Sequence, residues 1–123
     1  MGFFRKTILV VDDEPAICAN LQALLETRGY KVVVASEGRG AVDLAREAKP
    51  DMILLDVKLP VLDGLEVCRI LKEDKPTRRI PIVMLTALDT LGDVDKAVAC
   101  GADDYLTKPL DTDKLLDALK KYA

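Results

Sequence analysis

ILVVDDEPAICANLQALLETRG, residues 8–29, sets out an apolar run, three carboxylates and an amphipathic stretch closed by glycine. The apolar run has no polar alternation, so a strand built from it needs cover on both faces, which is the habit of parallel sheets. Pro15 suits the first turn of a helix, where its missing N–H costs nothing, and Gly29 suits the left-handed residue that ends one. Working outward, the unit recurs: apolar runs at 32–35, 52–55 and 82–85, and a weaker one around Tyr105 and Leu106, each precede a helical pattern. The spacing predicts helices over 15–28, 38–48, 64–73, 92–100 and 111–122, with Gly101 ending the fourth and Asp111 capping the fifth. Five βα units joined by right-handed crossovers make a three-layer α/β/α sandwich, although the runs do not state the strand order. In the first helix Ile17, Leu21 and Leu24 form the expected core stripe. Ala16, Ala19 and Ala23 fall on the opposite face, either as good helix formers or as a smooth seat for a partner's helix.

Composition narrows the chemistry. The 123 residues are 50% hydrophobic and 32% charged, with no repeat or linker-like tract, and read as one domain over 1–123. Eighteen basic residues against 21 acidic ones leave a net charge of -3, which disfavours direct nucleic-acid binding. The chain has no histidine, so a catalytic triad, a histidine metal site and a phosphohistidine are excluded within it. Cys18, Cys68 and Cys100 form no CxxC pair and read as reduced, small apolar side chains rather than a disulfide framework or zinc site. The run at 8–11 stops at Asp12, too short for a signal peptide or a membrane span, and Lys6 breaks the myristoylation pattern that Gly2 begins. A cytoplasmic protein is expected.

Placed on these strands, the polar residues gather. Asp12 and Asp13 follow the first strand, Asp56 and Thr86 end the third and fourth, and Lys108 follows the fifth. All stand at carboxyl ends, the edge where open parallel sheets bind ligands. Each residue alone has a plainer reading as a cap, a turn former or a solvated lysine; five at one edge favour a site. Two carboxylates about 5 Å apart repel by about 3 kcal/mol at an effective dielectric of 20, so three mutual pairs cost on the order of 10 kcal/mol. Protons or a cation must relieve this. Oxygen donors without histidine or cysteine select a hard ion, Mg²⁺ or Mn²⁺, and Lys108 and Thr86 beside it suit a dianionic phosphoryl group.

VVDDEP at 10–15, LLDVKLPVLDG at 54–64, VMLTA at 83–87 and GADDYLTKP at 101–109 together resemble the receiver domain of two-component response regulators. The resemblance covers essentially the whole chain, and it implies a flavodoxin-like (CheY-like) sheet of order 2-1-3-4-5. It further implies that Asp56 accepts a phosphoryl group from the phosphohistidine of a histidine kinase or phosphotransfer protein. Asp13, Asp56 and the backbone carbonyl of Lys58 would ligate Mg²⁺, with Asp12 acting through metal-bound water and Lys108 pairing with the phosphoryl oxygens. Thr86 would move toward the phosphoryl group and Tyr105 would turn inward, altering the face of the fourth helix, fifth strand and fifth helix. The Lys108–Pro109 bond would be cis. Pro60, Asp63 and Gly64 are read as turn chemistry leading into the third helix.

The departures from the family pattern bear on regulation. Lys58 and Leu88 stand where similar proteins influence hydrolysis, and Leu88 cannot hydrogen-bond an attacking water, so slow dephosphorylation is expected. Val94 occupies the place where paired DNA-binding members often carry a basic residue. The expected state is therefore a monomer or a weak phosphorylation-dependent dimer, passing its signal to a protein target or to an output domain beyond this chain. Two other classes share parts of the pattern. A haloacid-dehalogenase-type phosphatase has DxDx[TV], against Lys58 two positions after Asp56. A flavodoxin needs a hydroxyl- and glycine-rich phosphate loop, against Asp12-Asp13-Glu14-Pro15.

Overall fold

The computed structural model describes residues 5–87 and 91–123, the side chains of 91–94 excepted. Strands β1 (Thr7–Val11), β2 (Lys31–Ala35), β3 (Met52–Asp56), β4 (Ile82–Thr86) and β5 (Asp104–Thr107) alternate with helices α1 (Pro15–Thr27), α2 (Gly38–Ala48), α3 (Gly64–Glu73), α4 (Leu91–Ala99) and α5 (Thr112–Tyr122). Every expected run became its element, with ends shifted by a residue at most. The five strands are parallel in the order β2-β1-β3-β4-β5.

The continuous apolar runs are explained by cover on both sides. Leu9, Val11, Ile53, Leu55, Ile82 and Met84 face a core shared with α2, α3 and α4. Their neighbours Ile8, Val10, Met52, Leu54, Val83 and Leu85 face a second core shared with α1 and α5. Period-two alternation thus divides β1, β3 and β4 between two cores, and no position in β3 or β4 is left for solvent, whereas edge strand β2 leaves Val34 exposed.

Local chemistry ends the helices as expected. Pro15 opens α1, Asp63 accepts from the Glu66 N–H at 2.9 Å to cap α3, and Asp111 accepts from Asp113 and Lys114 to cap α5. Gly29 and Gly101 close α1 and α4 at φ 89° and 92°, values a Cβ would oppose. The core stripe of α1 is a correction. Its buried residues are Cys18, Leu21 and Leu25, whereas Ile17 and Leu24 are half-buried. Ile17 and Leu24 pack at the rim of the same core and line an apolar groove between α1 and the β5–α5 connection, together with Pro109, Leu110 and Leu115. Ala16, Ala19 and Ala23 are exposed.

Candidate functional site

The register brings the polar residues to one edge. β3 lies between β1 and β4, so Asp56, the last residue of β3, sits between the β1 end carrying Asp12 and Asp13 and the β4 end carrying Thr86. One carboxylate oxygen from each of Asp12, Asp13 and Asp56 lies within 4.8 Å of the others. Asp12 is 0% exposed and Asp56 5%, while Asp13 opens to solvent. Asp13, Asp56, Val57, Lys58, Thr86 and Lys108 line a cleft of roughly 300 Å³.

Each buried oxygen has a partner. Asp12 Oδ1 accepts the Glu14 N–H at 3.0 Å, and Asp12 Oδ2 accepts from Lys108 Nζ at 2.9 Å. Lys108 Nζ also lies 3.3 Å from Asp56 Oδ1, which takes a long bond from the Lys58 N–H at 3.4 Å. Lys108 is itself anchored, since its N–H donates to the Thr86 carbonyl at 2.7 Å; as expected, its bond to Pro109 is cis. One ammonium therefore bridges two buried carboxylates.

Electrostatics follows from this crowding. Burial, and then the charge of Asp12, push the Asp56 carboxyl above its ordinary value, against the pull of Lys108. Burial works against the charge on Lys108, but hydrogen bonding to Asp12 and the charges of Asp56 and Asp12 prevail and raise its pKa. Three carboxylates with one ammonium leave excess negative charge in a partly buried cleft. An all-oxygen donor set of this kind fits a small hard cation that keeps part of its water shell.

Most of the sequence-identified residues meet here: Asp12, Asp13, Asp56, Lys58, Thr86 and Lys108 all belong to the cleft or its walls. Tyr105 does not line it. It pairs with Met84 in the β4–β5 register and is half-buried against the α2/α3/α4 core. Leu88 lies outside the described residues, as does the side chain of Val94. The sequence reading did not foresee Lys108 bridging Asp12 and Asp56 without any ligand, nor how closely Gly64 approaches Asp56. A Cβ on Gly64 would fall 1.9 Å from the Asp56 carbonyl oxygen, and the Gly64 N–H bonds the Val57 carbonyl at 2.8 Å. The Asp63-Gly64 pair carried that signal, although it reads equally as an ordinary turn.

The response regulator receiver domain family model matches residues 8–120, so the chain belongs to that family of two-component signalling domains. The chain is 52% identical over 105 residues to the alkaline phosphatase synthesis transcriptional regulatory protein PhoP of Bacillus subtilis, covering 85% of this chain and 43% of that protein. It is 49% identical over 104 residues to the response regulator PleD of Caulobacter vibrioides, covering 85% of this chain and 23% of that one. The chain thus spans less than half the length of these curated relatives. Among solved structures, chemotaxis protein CheY4 of Vibrio cholerae superposes with a TM-score of 0.91 at 31% identity, over 98% of this chain and 100% of that one. The receiver domain of sensor histidine kinase PA1611 of Pseudomonas aeruginosa has a TM-score of 0.89 at 35% identity, covers 97% of this chain and 98% of that one, and holds a magnesium ion in its active-site cleft. No helix among the described residues is long and apolar enough to cross a membrane.

Proposed function

We propose that this receiver domain is a phosphorylation-controlled switch whose acceptor is Asp56. The observation that carries the reading is the setting of the Asp56 carboxylate. It ends a fully buried strand and faces a cleft that carries two further carboxylates, Thr86 and an anchored ammonium.

In the reaction an Asp56 oxygen attacks the phosphorus of a phosphohistidine on a histidine kinase or phosphotransfer protein. The P–N bond breaks, its electron pair stays on the imidazole nitrogen, and an acyl phosphate forms on Asp56. Asp13, Asp56 and the Lys58 carbonyl would hold Mg²⁺, or Mn²⁺ in its place, which would supply the positive charge that such a transfer requires. Asp12 has both oxygens engaged and Asp13 is open to solvent, which supports direct ligation by Asp13 and an outer role for Asp12. Once Asp56 carries the phosphoryl group, Lys108 Nζ is placed to pair with it, and Thr86 is placed on the cleft wall to donate a hydrogen bond. Charge-assisted hydrogen bonds of this type contribute about 1.5–3 kcal/mol each, and a shift from mostly off to mostly on needs about 5.5 kcal/mol. The change is passed through Tyr105 and the face of α4, β5 and α5 to a protein target or an output domain.

The test is intact mass after incubation with acetyl phosphate, with Mg²⁺ and with EDTA. A single Mg²⁺-dependent phosphoryl adduct that disappears in Asp56→Asn is expected. An adduct of equal yield in Asp56→Asn would place the acceptor elsewhere and overturn the assignment.

A further inference from the structure

On the α2/α3/α4 side of the sheet, away from the acidic cleft, two cysteines meet. Cys68 lies in the middle of α3 with 0% exposure, and Cys100 follows the last residue of α4, half-buried. Cys68 Sγ donates to the Cys100 carbonyl at 3.5 Å and Cys100 Sγ donates to the Ala97 carbonyl at 3.0 Å, which sets the two residues side by side.

Their surroundings hold them there. Lys72, one turn beyond Cys68 on α3, is 2.8 Å from Asp103 Oδ2 and donates to the Ile80 carbonyl at 2.7 Å. Asp103 Oδ2 also accepts the Ile82 N–H at 2.8 Å. Gly101, at φ 92°, turns the chain so closely against α3 that a Cβ there would sit 3.2 Å from Lys72 Cγ. The face of α3 that carries Cys68 and Lys72 is thus clamped to the segment that carries Cys100, Gly101 and Asp103. Cys18 belongs to the other core, across the sheet, and cannot take part.

We propose that Cys68 and Cys100 are a redox-sensitive dithiol that closes reversibly into a disulfide between α3 and the end of α4. The two thiols differ in acidity, which makes Cys100 the sulfur that reacts first. The neighbouring Cys68 side chain favours the Cys100 thiolate and, against the cost of burial, lowers its pKa, while the Cys100 side chain beside it and burial push the Cys68 thiol up. The charges that act on the pair come from Lys72, Asp103 and Asp63.

With hydrogen peroxide as oxidant, the Cys100 thiolate attacks one oxygen and the O–O bond breaks. The departing hydroxide takes a proton, leaving a sulfenic acid on Cys100 and one water. The Cys68 sulfur then attacks the Cys100 sulfur as it loses its proton, the S–O bond breaks, and the hydroxide released takes that proton as a second water. Two electrons pass from the thiols to the peroxide, and a dithiol reductant returns them by exchange. Closure requires a sulfur–sulfur distance of about 2.05 Å, so both thiols give up their bonds to backbone carbonyls, which are weak. The disulfide fastens the end of α4 to α3 through chemistry that does not involve Asp56.

The experiment treats the wild-type chain with hydrogen peroxide, quenches with iodoacetamide, and reads intact mass and a non-reducing peptide map. Expected is the loss of two hydrogens with one Cys68–Cys100 linked peptide, reversed by dithiothreitol and unchanged in Cys18→Ala. Cys100→Ser should give no intramolecular link. Before oxidation, Cys100 should be the first of the three thiols alkylated under native conditions. A linkage through Cys18, three unlinked thiols after peroxide, or accumulation of sulfinic acid on Cys100 with Cys68 still free would each overturn the proposal.

Discussion

Asp56 illustrates how a residue is held at a cost to the fold. Its carboxylate shares a partly buried space with that of Asp12, and at about 4.8 Å and an effective dielectric of 20 their repulsion is about 3 kcal/mol before Lys108 offsets it. Because the folded-state pKa of Asp56 is raised, the folded chain binds a proton more readily than the unfolded one, and stability from this group falls as pH rises through that folded value. In EDTA at neutral pH, Asp56→Asn should therefore be more stable than wild type by on the order of 1 kcal/mol, and the gain should shrink on acidification below the folded pKa. Urea unfolding at a series of pH values checks it; a gain independent of pH would point to a cause other than the charge. Val61 is a second strained residue. It adopts φ 65° in the β3–α3 connection, is fully exposed at 108%, and is β-branched, a combination that a left-handed backbone disfavours. Replacing it with glycine should stabilise the chain by about 1 kcal/mol, read as a higher urea midpoint with unchanged slope.

At the scale of elements, the start of α3 fixes the end of the strand that carries Asp56. Gly64 presses so closely on the Asp56 backbone that a methyl group has no room, so Gly64→Ala must displace either the helix or the end of β3. The expected cost is about 1–3 kcal/mol in unfolding, with slower formation of the phosphoryl adduct because Asp56 moves with its strand. Gly40 in α2 is the control, since nothing lies within 4 Å of a Cβ there. Gly40→Ala should raise stability by about 0.5–1 kcal/mol on helix propensity alone and leave the adduct rate unchanged. Equal rates for Gly64→Ala and wild type would separate the helix start from the site.

For the whole molecule, the sheet topology concentrates negative charge at one edge, and a ligand that relieves it should stabilise the entire domain by mass action. Mg²⁺ at about one hundred times its dissociation constant should add about 2.7 kcal/mol, a rise of roughly 10 °C in Tm, and Asp13→Asn should lose most of that rise. A full rise in Asp13→Asn would place the ion elsewhere. The chain spans 43% of one longer relative and 23% of another.

Residues 8–11, 52–55 and 82–85 announced doubly covered strands because continuous apolar runs have few other stable solutions, and the glycines, prolines and aspartates between them marked the helix ends by local backbone chemistry. Asp12, Asp13, Asp56, Thr86 and Lys108 were legible as polar groups stranded at strand ends, whereas Lys58 came from the resemblance to the receiver family. Local patterns act over a few residues, so they could not decide what depends on distant partners. That α1 buries Cys18, Leu21 and Leu25 most deeply and leaves Ile17 and Leu24 at the rim of the same core depends on how the helix sits against the sheet and α5. The bridge from Lys108 to Asp12 and Asp56 joins residues far apart in the chain, and the pairing of Cys68 with Cys100 arises only where α3 meets the end of α4. Each of these was settled by packing and charge among segments the sheet had first to bring together.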